Sequence, residues 1–254
     1  MIYDKLTVAL LGTLSTERRD STNAHIARYM LTHQEELGEL SVKRLAQACS
    51  VGTGSVSRFC REVGFESFEE LRQQFCASMR TYEPVAPEDE RGEAHGLAVA
   101  IGSTLVQAAR SVDGVALRAL VDDLLAYKKV SAYGMLKAQA AAVDLQVDLL
   151  MQGKLIETCV SHAEQLKRIA EADSDELIIV FSYTGSYFDS RDLSEAMRRI
   201  SRPKIWVVCG RRHQLPPFVS GRLLFSSSGR QLGHPYQLEL IAGLIAQEYA
   251  HRLA

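Results

Sequence analysis

The spacing of apolar positions changes near residue 82, and this change divides the chain into two parts. Before it, apolar residues recur every three or four positions, which is the spacing of one buried helix face. After it, similar stretches alternate with short continuous apolar runs that are typical of buried strands. The pattern therefore predicts a helical N-terminal domain followed by a C-terminal α/β domain.

The stretch between the two parts, YEPVAPEDERGE at 82–93, combines prolines, a glycine and several acids. Prolines interrupt helices, and a segment of this composition buries little apolar surface. We therefore expect an N-terminal domain over residues 1–80, a linker over 81–95 and a C-terminal domain over 96–254.

The N-terminal pattern predicts a short helix in the leader LTVALLGTL, packed on a neighbour, and then four further helices. These cover residues 22–33, 41–49 and 53–63, with a fourth that begins at Ser67. Ser67 and Glu70 form an S-x-x-E capping box just before an apolar run. Ser41 is the expected N-cap of the 41–49 helix.

Two of these helices, 41–49 and 53–63, are separated by only three residues, as in a helix-turn-helix. Val56, Phe59 and Val63 give the second helix one buried stripe, and its other face carries hydroxyls and arginines. Such groups can bind phosphate, and arginine can also read guanine in the major groove. The candidate DNA contacts are Lys43, Arg44, Thr53, Ser55, Ser57, Arg58 and Arg61. A solvated face that binds nothing explains the same pattern, so the spacing alone leaves both readings open.

Five short apolar runs in the C-terminal part predict strands, and helical sequence or a loop follows each. The runs are KVSAY (129–133), KLIET (154–158), ELIIVF (176–181), KIWVV (204–208) and RLLFS (222–226). Helices are expected at 97–111, 115–126 and 234–252. This alternation predicts a five-stranded parallel sheet whose strands end along one edge, where ligands bind in such sheets.

The run at 176–181 leads into a turn that contains three serine or threonine hydroxyls and a glycine, Ser182-Tyr183-Thr184-Gly185-Ser186. Backbone N–H groups, hydroxyls and the start of a following helix would all point at one anion, most naturally a phosphate. Many Ser/Thr-rich turns only cap the next helix, and this alternative stays open from the residues alone.

Residues 40–75 resemble the N-terminal domain of the RpiR family of bacterial transcription regulators. The resemblance is carried by Val56-Ser57-Arg58-Phe59 and by Gly64-Phe65-Glu66-Ser67-Phe68-Glu69-Glu70-Leu71. It implies that the 53–63 helix is a recognition helix that binds operator DNA. Gly52 and Gly54 stand where the family often has Ser and Ala, so the start of this helix is expected to be looser.

The C-terminal part is similar to the SIS (sugar isomerase) domain that follows in that family. Ser182, Thr184, Gly185 and Ser186 match its S-x-[ST]-G-x-[ST] signature, and in SIS domains these residues hold the phosphate of a phosphosugar. Of the second SIS motif, G-x-G-x-S, only Gly134 is present, and Leu136 occupies the serine position. Lys137 could supply charge there, and His234 is a weaker candidate ligand contact, as are Arg211, Arg212 and His213.

Composition and charge narrow the classes of protein that the chain could belong to. The 254 residues carry a net charge of −2, which excludes a protein that coats nucleic acid with an overall basic surface. A local basic face remains compatible with this charge. The five cysteines form no C-x-x-C pair, so we expect no metal site, and we expect no cofactor. Their thiols are expected to be reduced, as in a protein of the cytoplasm. No secretory signal or apolar stretch of membrane-spanning length is apparent.

The expected function is a transcriptional regulator of carbohydrate metabolism. Its expected partners are operator DNA, a phosphorylated sugar or amino sugar, and further copies of itself as a homodimer or homotetramer. One alternative is a phosphosugar isomerase, but Glu195, Glu239 and Glu248 lie in helical patterns and none stands out as a base. Another is a regulator whose SIS domain serves only for assembly, which the loss of serine at Leu136 keeps open.

Overall fold

The computed structural model describes residues 5–76, 92–188, 203–210, 214–227 and 231–254. These residues divide into two compact units, one before and one after the 83/84 boundary. Most of the linker predicted at 81–95 lies outside the described residues. Its last three residues already belong to a helix that begins at Glu93.

The N-terminal unit is helical, as the apolar spacing predicts. Its helices are α1 (Lys5–Thr16), α2 (Thr22–Thr32), α3 (Val42–Ala48), α4 (Thr53–Glu62) and α5 (Phe68–Cys76), with a 3-10 helix at Gln34–Glu39. The leader forms α1 and buries Leu6 and Leu10 completely. The 3-10 helix was not predicted, because its acidic sequence shows no apolar period.

Both ends of α3 are closed by local hydrogen bonds. The Ser41 hydroxyl accepts a bond from the Arg44 N–H at 3.3 Å, as expected of an N-cap. At the other end the Val51 N–H bonds to the Ala46 carbonyl at 2.9 Å, while Ser50 adopts a left-handed φ of 55°. This arrangement is a Schellman motif, and it turns the chain sharply into α4.

The C-terminal unit alternates helices and strands. In chain order they are α6 (Glu93–Ser111), α7 (Gly114–Ala126), β1 (Lys129–Gly134), α8 (Lys137–Met151), α9 (His162–Glu171), β2 (Glu176–Phe181), β3 (Lys204–Cys209), β4 (Gly221–Leu224), a 3-10 turn (Gln231–Gly233) and α10 (Tyr236–Leu253). Within the described part of the chain, no helix is long and apolar enough to cross a bilayer.

The described strands form a parallel sheet in the order β1-β2-β3-β4, so the prediction of five strands is wrong by one. The missing member is KLIET at 154–158. It contributes a single parallel bridge, between Glu157 and Ser131 on the free edge of β1. Of its two large apolar side chains, Ile156 is fully buried and Leu155 is 66% exposed.

That bridge nevertheless locates the topological switch point of the sheet. From β1 the chain passes through α8 to Glu157 on one edge of β1, and then through α9 to β2 on the other edge. The chain therefore changes direction around β1. In open α/β sheets ligands bind in the crevice at the carboxyl ends of the two strands beside such a point. Here those ends are Gly134 and Phe181, which are register partners.

Candidate DNA-binding helix and anion-binding loop

The outer face of α4 is polar and accessible. Its inner face buries Val56, Phe59 and Cys60 in the core of the N-terminal unit. Of the seven predicted DNA contacts, six are exposed and Ser55 is half-buried at the edge of the face; the exposed six are Lys43, Arg44, Thr53, Ser57, Arg58 and Arg61. The structure therefore places a hydroxyl-rich, basic surface on α3 and α4.

The arginines of α4 are only weakly engaged. The Arg58 side chain is 65% exposed, and its Nε lies 3.9 Å from Glu62, the limit of an ion pair. Glu62 also accepts a hydrogen bond from the Asn23 amide at 2.7 Å, which holds its carboxylate on the α2 side. An exposed pair of this kind contributes little to stability. Arg58 can therefore exchange Glu62 for an external anion at small cost.

The loop that follows β2 is ordered by the strand beside it. The Ser182 N–H donates to the Val208 carbonyl at 2.9 Å, and the Gly210 N–H donates to the Tyr183 carbonyl at 3.1 Å. The Gly185 N–H then turns back to the Ser182 carbonyl at 2.9 Å, with Gly185 at a φ of 77°. This left-handed conformation favours a glycine at the position where the motif has one.

The hydroxyls of this loop differ in accessibility. Ser182 is buried, whereas Thr184 and Ser186 are half-buried. The Oγ atoms of Thr184 and Ser186 lie 2.6 Å apart and share a hydrogen bond. These two hydroxyls therefore converge on one point. The helical sequence that was expected to add its N-terminus lies at 189–202, outside the described residues.

Tyr183 and Tyr187 point inward from the loop. The Tyr183 hydroxyl donates to Gln237 Oε1 at 2.9 Å, and its ring stacks on His234 at a centroid distance of 4.7 Å. The Tyr187 hydroxyl donates to Gln165 Oε1 at 2.7 Å. Burial raises the pKa of Tyr187 well above its ordinary value. The hydroxyl of Tyr183 is thus engaged within the fold, and its contact with a ligand stays a prediction.

The end of β1 packs closely against the first turn of α8. A Cβ added at Gly134 would lie 2.5 Å from the Ala138 carbonyl oxygen, so only glycine fits there. The Gly134 carbonyl accepts a bond from Gln165 Nε2 at 2.9 Å. Leu136 follows with a left-handed φ of 51°, half-buried at the start of α8. Gly134 therefore shapes the strand end, and Leu136 offers no polar group beside it.

His234 lies under the same loop. It is 4% exposed, and its pKa is lowered to about 4, first by burial and then by the positive charge of Lys137. The imidazole is therefore neutral at physiological pH. Arg211, Arg212 and His213 lie outside the described residues.

Gln165 and Gln237 are the site residues that the sequence analysis missed. Each is fully buried and pairs with a loop tyrosine. Their sequence contexts are amphipathic helices in which a glutamine normally faces solvent. The sequence signal that could have found them is that each glutamine stands where the helical spacing places an apolar, buried residue.

Two of the three glutamates named as possible bases, Glu239 and Glu248, lie in α10. Glu248 pairs with Arg252 within α10 at 3.3 Å, and burial raises the pKa of Glu239, with a further contribution from Asp144. Glu195 lies outside the described residues. The acidic cluster found among the described residues, Asp173, Asp175 and Glu176, is at the amino end of β2, opposite the loop.

The N-terminal unit is similar to a known family of DNA-binding domains. Residues 14–81 match the model of the helix-turn-helix domain of the rpiR family. The HTH-type transcriptional regulator HexR of Pseudomonas aeruginosa is 24% identical over 166 residues, 63% of this chain and 58% of that protein. The chain matches 21%, 58% and 62% of the length of three curated relatives, all named as HTH-type transcriptional regulators.

Two solved structures share the fold. The Vibrio vulnificus NanR protein complexed with ManNAc-6P is 15% identical and matches with a TM-score of 0.55, over 97% of this chain and 92% of that one. The sugar isomerase domain of an RpiR transcription factor from Sphaerobacter thermophilus is 19% identical, with a TM-score of 0.50 over 63% of this chain and 90% of that one. At such identities the likeness establishes the fold.

Proposed function

We propose, from the premise that residues 14–81 are an RpiR-family helix-turn-helix domain, that this chain is a DNA-binding transcriptional regulator controlled by a phosphorylated sugar. The match of that domain carries the proposal. The exposed hydroxyls and arginines of α4 support it, because they are the groups that bind phosphate and read guanine.

The effector is assigned to the switch-point crevice between β1 and β2. Support comes from the converging hydroxyls of Thr184 and Ser186 and from the left-handed turn at Gly185, which together suit a phosphate. The relative NanR, which was solved with ManNAc-6P, has the same fold. A phosphorylated sugar or amino sugar is therefore the ligand class that we propose, within a regulator of carbohydrate metabolism in the cytoplasm.

The regulator is proposed to act as a homodimer or homotetramer. Paired recognition helices of a two-fold symmetric assembly read half-sites about 34 Å apart, or a multiple of that distance. The effector changes operator affinity only to the extent that it binds one arrangement better than the other. No catalytic step is assigned to the chain.

Leu136 favours a second candidate, in which the C-terminal unit serves assembly alone. Leucine cannot donate a hydrogen bond to a sugar hydroxyl or a phosphate, and it occupies the start of α8 beside the crevice. If this second candidate is correct, the Thr184 and Ser186 hydroxyls bind no ligand and form a hydrogen bond only with each other. The two candidates differ in one measurable property, ligand binding.

The deciding experiment is a thermal-shift titration of the full chain against sugar phosphates, amino-sugar phosphates and the same sugars without phosphate. A ligand at 100 times its dissociation constant adds about 2.7 kcal/mol to the free energy of unfolding. We expect a shift of several degrees with a phosphorylated sugar and none with its unphosphorylated counterpart. Silence across the panel would favour the assembly role.

A further inference from the structure

The loop at 182–188 is held by two tyrosines that lead to different parts of the C-terminal unit. Tyr183 and Tyr187 stand four residues apart, on either side of Thr184 and Ser186. Each donates its hydroxyl to the side-chain oxygen of a fully buried glutamine, Gln237 at 2.9 Å and Gln165 at 2.7 Å. The loop therefore has two buried anchors of the same chemistry.

The first anchor reaches α6. Gln237 Nε2 donates to the Thr104 carbonyl at 2.8 Å, and both groups are buried. Thr104 lies in the middle of α6, the helix that begins at Glu93. Residues 77–91 connect this helix along the chain to the DNA-binding unit. Two hydrogen bonds thus join the candidate phosphate loop to the element nearest in sequence to that connection.

The second anchor stays within the crevice. Gln165 Nε2 lies 2.9 Å from the Gly134 carbonyl and 2.6 Å from the Cys159 carbonyl. These groups belong to the end of β1 and to the stretch before α9. The hydrogen bonds of this anchor do not include α6, so it provides an internal comparison for the first.

We propose that Gln237 is the positioning residue that couples the effector loop to α6, through Tyr183 on one side and Thr104 on the other. This inference rests on the proposed function, because it assumes that an anion binds at 182–186. It adds a route by which binding reaches the connection to the DNA-binding unit.

The physical reason is the fixed chemistry of a buried amide. The oxygen of Gln237 can only accept and its nitrogen can only donate, so each of its two partners is specified. A shift of Tyr183 that broke its bond would leave a buried acceptor unsatisfied, which is costly. Gln237 is therefore expected to move with Tyr183, and α6 is expected to move with Gln237. A ligand that prefers one position of the loop then biases α6 by its differential affinity.

The test compares Tyr183→Phe with Tyr187→Phe in the full chain. Each variant removes one buried hydroxyl from the same loop, but only the first interrupts the link to α6. Amide hydrogen exchange is followed by mass spectrometry across the loop and across α6, with saturating inorganic phosphate or with sodium chloride at equal ionic strength. Gln237→Met, which breaks both bonds of the link, is a second variant.

We expect phosphate to slow exchange in the loop and in α6 of the wild-type chain and of Tyr187→Phe. In Tyr183→Phe and Gln237→Met phosphate still protects the loop, but the extra protection that phosphate gives α6 over sodium chloride falls roughly tenfold, the size expected for a lost buried hydrogen bond. An equal extra protection of α6 in all four chains, or a loss of α6 protection that is the same with and without phosphate, would overturn the coupling role. A loop that phosphate never protects would overturn the site assignment itself, and with it this inference.

Discussion

Thr184 Oγ1 and Ser186 Oγ lie 2.6 Å apart, on either side of the left-handed Gly185. One hydroxyl donates to the other, so a single hydroxyl hydrogen of the pair remains to point outward. An arriving phosphate oxygen would accept that hydrogen and strengthen the bond behind it. We therefore expect the two hydroxyls to act as one unit in anion binding.

We predict that Ser186→Ala weakens the binding of a sugar phosphate by about tenfold to a hundredfold, since hydrogen bonds to charged groups contribute about 1.5–3 kcal/mol. Thr184→Val should cause a similar loss. Because the two hydroxyls act together, the double variant should lose less than the sum of the single losses. Calorimetric titration measures all three chains. Ser15→Ala, which removes an exposed hydroxyl of α1, is the control, and strictly additive losses would contradict the paired arrangement.

DNA binding should depend on Arg58 far more than on exposed arginines outside α3 and α4. Arg58→Ala is expected to weaken binding to a selected operator by about 1–3 kcal/mol if the guanidinium reads a base. Arg18→Ala is the matched control, because Arg18 is 86% exposed, pairs with Asp20 and lies outside α4. Fluorescence anisotropy at several salt concentrations separates base reading from a phosphate contact, which would change the salt dependence. Equal losses in the two variants would contradict the assignment of α4.

Gly54 should be replaceable with a gain in stability. A Cβ at this position meets no atom within 4 Å, and the residue is exposed in the first turn of α4, one residue after Thr53. Glycine in a helix interior is about 1 kcal/mol less favourable than alanine, and the penalty is smaller in a first turn. Gly54→Ala should therefore raise the free energy of unfolding of the N-terminal unit by a fraction of that amount, as measured by urea denaturation. Gly64→Ala is the opposing control and should destabilise, because Gly64 has a φ of 86°.

His234 should make the C-terminal unit sensitive to mild acid. Its pKa is about 4 in the folded chain, lowered by burial and by Lys137, whereas an unfolded histidine has a pKa of about 6.5. Between these values the unfolded state binds the extra proton, so stability is complete above pH 6.5 and falls as the pH drops towards 4. By pH 5 the loss from this group is about 2 kcal/mol.

The variant His234→Phe keeps a ring against Tyr183 and removes the titration. The measurement is urea denaturation of both chains at pH 7.5 and pH 5. We expect the wild-type chain to lose more stability than the variant over this interval. A parallel loss in the two chains would show that other groups cause the acid sensitivity.

The helices of the N-terminal unit were predictable because their signals are local. The stripe of Val56 and Phe59 and the cap at Ser41 act within one or two turns, and the structure has both. Of the box at Ser67 the structure has one bond, from the Glu70 N–H to the Ser67 hydroxyl, whereas the Glu70 carboxylate accepts from the Glu66 N–H instead of the Ser67 N–H. The prediction of a strand at 154–158 was wrong because a strand forms only where a neighbouring strand pairs with its backbone. Only Glu157 finds a partner on β1, and an apolar run cannot show in advance how long its ladder will be.

The same distinction applies to the sites. The sequence by itself determined which residues stand on the outer face of α4 and which hydroxyls follow β2, because both depend on residues close together in the chain. Only the tertiary structure decided that Gly134 stands beside Phe181 and that Tyr183 bonds to Gln237, 54 positions away. The physical reason is that a buried polar group must find a partner wherever the fold brings one, and sequence spacing does not specify that partner.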